Sequence, residues 1–391
     1  MIKSHPERLP ECPEHLPEGL IRPVIRPVVG SAVKPVVGSA VKPVVRSAGE
    51  KTPEMYPGTP FGVMYRMLKN QQDICLRGSW GFAMTFYAWL KKKVASLHPI
   101  RGYESSRRQQ EVLKAILSCF WVPVEEHRVA LEKAPGNPWL RSFYPNNKSF
   151  LINFADLLGM NGARQWFEKG IRYPLLNHPI HPFYGVYFPT RHEHLHLLDN
   201  WLKEHNPFQR AVDIGCGCGV LSFILYKHGI RSIHATDINP NAAYSFRQDL
   251  QRLNHRMQEA VSVEEASLLG SFRPSPDDLV VFNPPWIPEK PKKILDTAFY
   301  FEDQFFDDFF GQMTETCPPG TTIALIFSNF SIVAGIATEH PVEHALQNFQ
   351  KHFSLLSRIQ KPVTQKASRK KSWIQQVRNK ETVELFVIRK V

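Results

Sequence analysis

No stretch of about 18 uninterrupted apolar residues occurs in the 391-residue chain, so no membrane-spanning helix and no membrane partner are expected. The longest candidate, Trp80 to Leu90, is about half the length a bilayer needs and runs into Lys91-Lys92-Lys93. It reads as a core helix with a charged end. The N-terminal MIKSHPERLPECPEHLPEG lacks the apolar centre of a secretory signal. Cysteine is sparse: Cys12, Cys75, Cys119, Cys216, Cys218 and Cys317 are scattered, with no Cys-x-x-Cys pair. That argues against a disulfide scaffold and for reduced thiols in the cytoplasm. Hydrophobic residues at 43% against 21% charged exclude a wholly disordered chain. At about 150 residues per domain, two domains and a tail are expected.

What is present is unevenly placed. Eleven of the 32 prolines lie in residues 1–60, where an eight-residue unit recurs as IRPVVGSA (Ile25–Ala32), VKPVVGSA (Val33–Ala40) and VKPVVRSA (Val41–Ala48). The period is too short for a helical solenoid, and one Pro per unit bars the interior of a sheet. Residues 1–58 are therefore expected to be a disordered, polyproline-leaning extension. The net charge of +12 is also segregated. Residues 61–200 carry 18 basic and 10 acidic side chains, residues 201–350 carry 11 and 18, and residues 351–380 carry nine basic and none acidic. The last group includes Lys366, Arg369, Lys370, Lys371, Arg378 and Lys380. Two basic flanks beside an acidic block point to a polyanionic or ribosome-associated partner.

Periodicity divides the remainder. Residues 59–180 read as a mainly helical domain for substrate recognition, with apolar residues of Gln109–Phe120 recurring at three and four. From 181 to 391 strands alternate with helices: Arg210–Ile214, Val220–His228, Ser232–Ile238, Asn241–Asn254, Asp278–Phe282, Thr321–Ser328, Ser354–Gln360 and Val383–Lys390. Such alternation implies an α/β fold with an open, mostly parallel sheet covered on both faces.

Ligands of open α/β sheets bind beyond the carboxyl ends of the strands, and three segments fall there. Val212 to Gly219 reads VDIGCGCG; Gly215, Gly217 and Gly219 permit a tight strand-to-helix turn and close approach of a ligand to the backbone. Asp237 ends the next strand, 20 residues after Gly217, where a carboxylate accepts both hydrogens of a ribose diol. Asn283-Pro284-Pro285-Trp286 follows Asp278–Phe282. The prolines end the strand and fix the loop's φ angles. The Asn283 side-chain oxygen and the Pro284 carbonyl are acceptors for an NH₂ group, and Trp286 offers a flat cover for an amide or base.

VDIGCGCG, ATDINP and FNPPW, in this order and spacing, resemble the class I S-adenosylmethionine-dependent methyltransferases of the Asn-Pro-Pro-aromatic branch, which methylate planar amino or amide nitrogens. The resemblance implies a Rossmann-like seven-stranded sheet, S-adenosyl-L-methionine as cofactor on the glycine loop, and its ribose on Asp237. It further implies that Asp213 organises that loop, that Ile238 packs on the adenine, and that Asn283 with the Pro284 carbonyl orients the target nitrogen. Ser267 stands where the family often has an acidic residue for the adenine amino group, with Glu265 as a substitute. Trp286 replaces the commoner Tyr or Phe. Pro182 to Arg191, followed by His192-Glu193-His194-Leu195, resembles the hairpin and entry helix of the protein-glutamine methyltransferases that modify release factors.

A protein glutamine is thus the lead substrate. An exocyclic amino group of an RNA or DNA base presents the same NH₂ and is the alternative. A non-catalytic interaction protein that has kept the fold is the rival from another class. His192-Glu193-His194-Leu195-His196 formally satisfies His-Glu-x-x-His, but Asp199 and Leu202 occupy the positions of the extended zinc signature, and no metal is expected. The G-x-G-x-G spacing does not suit a nicotinamide dehydrogenase. Oligomeric state is left open.

Overall fold

The computed structural model describes residues 16–27, 52–364 and 372–391. The chain divides into two compact units, with the boundary at Gln165/Trp166. The later two repeat units, Cys12, and Lys366, Arg369, Lys370 and Lys371 lie outside the described residues.

The N-terminal unit holds more than helices. Its helices Trp80–Leu97 and Tyr103–Leu117 accompany a sheet ordered Ile25–Pro27, Phe150–Asn153, Phe120–Glu125, Ile74–Leu76, Glu54–Met55, with Arg128–Val129 folded onto Phe120–Glu125. The expectation missed this because the strands are short and continuously apolar, and periodicity does not separate such runs from buried helix. Nor is all of residues 1–58 a free extension. Ile25–Pro27, in the first repeat, pairs antiparallel with Phe150–Asn153 at the sheet edge, a position that tolerates Pro27. Ile25 is 1% exposed. The Arg26 guanidinium lies 4.3 Å from the centre of the Trp121 ring and pairs with Asp73.

In the C-terminal unit seven strands form one sheet: β1 (Arg210–Ile214), β2 (Ser232–Asp237), β3 (Val261–Glu265), β4 (Leu279–Phe282), β5 (Thr322–Ser328), β6 (Phe353–Pro362) and β7 (Thr382–Lys390). Their order is β3-β2-β1-β4-β5-β7-β6, with only β7 antiparallel to its neighbours. The helices that matter below are α1 (Glu193–Glu204), α2 (Val220–Lys227) and α3 (Pro240–Arg252). Strands β1, β4 and β5 are almost wholly buried, as parallel strands covered on both faces require. Strand order reverses between β1 and β4, which opens a crevice at their carboxyl ends. Upstream, the antiparallel pair is Ile171–Arg172 with Pro179–Ile180, and residues 182–192 form an irregular segment rather than the hairpin itself. No described helix is long and apolar enough to cross a membrane.

The docked first repeat is testable. Ile25→Ala is expected to destabilise the N-terminal unit by about 2–5 kcal/mol, the usual cost of truncating a buried isoleucine. Urea denaturation followed by tryptophan fluorescence measures it, and an unmoved midpoint would contradict the pairing.

Candidate active site

The site begins with register. Ile214 of β1 lies opposite Thr236 of β2 and Phe282 of β4. Gly215, Asp237 and Asn283, the next residues of the three strands, therefore leave the sheet side by side. Hydrophobic packing of the strands sets this row, and the chemistry is carried one residue beyond it.

The turn from β1 into α2 is made by glycines at positive φ: Gly217 at 53° and Gly219 at 79°. A Cβ at Gly217 would stand 3.2 Å from the Tyr187 carbonyl, and one at Gly219 would stand 2.4 Å from the Phe246 ring. Gly219 thus serves close packing of α2 on α3, whereas Gly217 keeps the loop surface open. The Gly217 N–H donates to Asp237 Oδ2 at 2.8 Å and the Asn239 N–H to Asp237 Oδ1 at 2.8 Å. These bonds orient a carboxylate whose pKa is raised by burial, an effect the two N–H donors oppose only in part. Each oxygen keeps a further lone pair for a diol. The Cys216 and Cys218 thiols are fully buried, and burial pushes Cys218 up to about 12, so both act as small apolar fillers.

Asp213 sits behind the loop, fully buried. Its Oδ2 accepts from the Ser222 N–H at 3.0 Å and the Ser222 hydroxyl at 2.6 Å. Its Oδ1 has no partner among the described residues. Burial, far more than the nearby Asp237 charge, pushes the carboxyl up to about 7. An unsatisfied buried oxygen is costly in a folded protein; its retention beneath a glycine loop marks a place kept for loop geometry rather than for stability.

After β4, Pro284 and Pro285 hold Asn283 and Trp286 on a rigid turn. The Trp286 indole Nε1–H donates to Asn283 Oδ1 at 3.1 Å. Trp286 also meets His194 of α1 edge to face, with ring centres 5.7 Å apart at 88°. The indole is thus held on two sides, which differs from a free cover for a substrate ring.

One cavity of about 1220 Å³ in the C-terminal unit joins these parts. Gly215, Gly217, Asp237, Ile238 and Ser267 line it on one side; Asn283, Pro284 and Trp286 also line it. Ile238 is 43% exposed and so presents an apolar face to it. Asp213 and Gly219 stand outside the wall, as does Glu265, while Ala266, Ser267 and Leu268 form the floor after β3. The volume and the carboxylate on an open glycine turn fit S-adenosylmethionine.

Sequence reasoning passed over several wall residues. Asn239 Nδ2 donates to the Gly185 carbonyl and Asn241 Nδ2 to the Tyr184 carbonyl, at 2.9 and 2.7 Å, which ties residues 184–187 to the start of α3. Asn239 inside ATDINP was the available signal. Glu193, the glutamate of the His-Glu-x-x-His match, accepts from the Thr364 N–H at 2.7 Å and the His192 N–H at 3.2 Å. It is committed to backbone. Arg378 and the buried Glu381 pair with each other in the cavity wall; their i,i+3 spacing was the available signal for the pair, though not for its place in the wall.

The sign of the Asp213 effect is fixed by its direction. The folded-state pKa of about 7 lies above the ordinary value near 3.9. Protonation therefore stabilises the fold below that ordinary value, and the benefit is lost as pH rises towards about 7. Asp213→Asn keeps the shape and cannot ionise. Its melting temperature is expected to exceed that of the wild type by a few degrees at pH 8 and to converge on it near pH 4. A gap independent of pH in thermal melts would refute the assignment.

Residues 195–299 match the family model described as "Methyltransferase small domain". The ribosomal protein L11 methyltransferase of Ralstonia nicotianae is 34% identical over 101 residues, 25% of this chain and 32% of that protein. The Hydrogenovibrio crunogenus protein of the same name is 33% identical over 101 residues, with the same shares. The chain thus spans about a third of the length of the curated relatives it matches. Among solved structures, the ribosomal protein L11 methylase of Lactobacillus delbrueckii subsp. bulgaricus is 17% identical with a TM-score of 0.35, covering 56% of this chain and 91% of that one. The Bacillus subtilis tRNA methyltransferase TrmK is 12% identical with a TM-score of 0.32, covering 53% and 68%. The matched segment 195–299 contains the glycine turn, Asp237 and Asn283 described above.

Proposed function

We propose that the chain is an S-adenosylmethionine-dependent N-methyltransferase acting on a planar amino or amide nitrogen, with a protein glutamine as lead substrate. The observation that carries this reading is the placement of Asn283 and Pro284 in the same cavity as Gly215, Gly217 and Asp237. The bound cofactor supplies a sulfonium methyl that is already electrophilic. What remains for the protein is to position the nucleophile in line and exclude water. The acceptor NH₂ donates one hydrogen to Asn283 Oδ1 and one to the Pro284 carbonyl, which turns the nitrogen lone pair towards the methyl group and raises its electron density. With the cofactor bound, Asp237 would hold its ribose, Ile238 would give the adenine an apolar face, and Ser267 would offer a polar contact. Asp213 sets the loop that carries the methionine end.

A protein substrate is supported by the relatives named as ribosomal protein methyltransferases. A nucleic-acid base remains the second reading, favoured by the exposed Lys91, Lys92, Arg101, Arg108 and Lys114 on and between the two N-terminal helices. The five described cysteines are buried and scattered along the sequence, which supports a reducing compartment such as the cytoplasm.

Calorimetry is expected to show S-adenosylmethionine binding, and its absence would end the proposal. Asn283→Ala is expected to retain that binding while methyl transfer falls about 100-fold, the scale of a misplaced nucleophile. Unchanged transfer would take the role from Asn283; no transfer by the wild type to any extract component would favour the non-catalytic rival. Tritiated-methyl labelling of an extract, with nuclease or protease treatment, identifies the substrate class. Label lost to protease and kept after nuclease supports protein, and the reverse result overturns it.

A further inference from the structure

We infer that Trp286 locks the side-chain amide of Asn283 with its oxygen presented to the acceptor, and that His194 is the positioning residue that keeps Trp286 in the lock. The inference rests on the proposed amino-nitrogen chemistry for its meaning, though not for its geometry. An asparagine amide is nearly symmetric in shape, and a half-turn about its last torsion exchanges oxygen for NH₂. Only one orientation serves an NH₂ acceptor. In the other, the donor Nδ2 faces the donor groups of the substrate. Packing alone does not choose between the two, so something must choose by chemistry.

The indole N–H is a donor with no acceptor capacity. Placed 3.1 Å from Asn283 Oδ1, it forms a bond in one amide orientation and meets a second donor in the other. Pro284 and Pro285 lie between the two residues and fix their backbone separation through restricted φ angles. The pairing leaves one Oδ1 lone pair for the acceptor nitrogen, whose other hydrogen goes to the Pro284 carbonyl. A Tyr or Phe ring in this position carries no N–H, so the lock is a property of tryptophan here.

The indole must itself be held. His194 is 2% exposed on α1 and stands at right angles to the indole. Burial lowers its pKa to about 4, so the ring is neutral at neutral pH and meets the indole edge to face as an uncharged aromatic. Its Nε2 is buried with no partner among the described residues. The side chain therefore contributes shape at this contact and not a hydrogen bond.

Labelling the eight tryptophans with ¹⁵N gives indole N–H signals that need neither cofactor nor acceptor. The signal that disappears in Trp286→Phe is that of Trp286. It is expected to lie downfield and exchange slowly with solvent, and in Asn283→Ala to move upfield and exchange faster. A signal indifferent to Asn283→Ala overturns the lock. His194→Ala is expected to speed the exchange and His194→Phe to restore it; exchange unchanged in His194→Ala removes His194 from the device. In the methyl-transfer assay, Trp286→Phe is expected to lower kcat about five-fold, the worth of one neutral hydrogen bond, with KM for S-adenosylmethionine unmoved. In an Asn283→Asp background, where both oxygens are acceptors, the penalty of Trp286→Phe is expected to vanish. An equal penalty in both backgrounds overturns the orientation argument. A chain that fails to bind S-adenosylmethionine would sink the proposed function while leaving the indole signals readable.

Discussion

The in-register row Thr236–Ile214–Phe282 across β2, β1 and β4 is the constraint on which the site depends. Each strand exits the sheet at the same height, so a glycine, a carboxylate and an amide that are far apart in sequence start from adjacent points. A slip of one residue in any strand would exchange its two packed faces and carry its functional residue out of line. The fully buried strands oppose such a slip, so the hydrophobic core of the sheet and the geometry of the cavity are one property.

Around that row, rigidity is supplied in three different ways. Backbone conformation does it at Gly217 and Gly219, where side chains would collide. Ring closure does it at Pro284 and Pro285. Hydrogen bonds do it at Asp237, held by two N–H groups, and at Asn283, held by an indole. Asp213 is the exception: half of its carboxylate is unpaired in a fully buried position, and the fold is poorer for it. Conflict between local stability and placement is expected where a site is being shaped.

The sequence made the C-terminal sheet legible because each strand end there carries its own punctuation. Glycines after Ile214, Asp237 after a buried alternation, and prolines after Phe282 are local signals with local causes. The N-terminal unit offered none of these. Ile74–Leu76 and Phe120–Glu125 are short apolar runs flanking helices, and their strand character comes from partners distant in the chain. Pro27 argued against a strand, and only its edge position reconciles the two. His194 is only a filler position between His192 and His196 in the zinc-like match, whereas its observed contact is with Trp286, nearly a hundred residues away. The Asn239 bond to Gly185 is likewise a tertiary fact.

The docked first repeat has a consequence for how this chain can vary. Ile25–Pro27 and Glu54–Met55 stand at opposite ends of the strand path, four spacings apart, a gap of about 19 Å at about 4.8 Å per spacing. Residues 28–53 join them. With one eight-residue unit removed, the connection would still reach roughly 60 Å when extended. Copy number is therefore free of any geometric demand from the sheet: with a unit removed, the chain between Pro27 and Glu54 is still long enough to join the two strands.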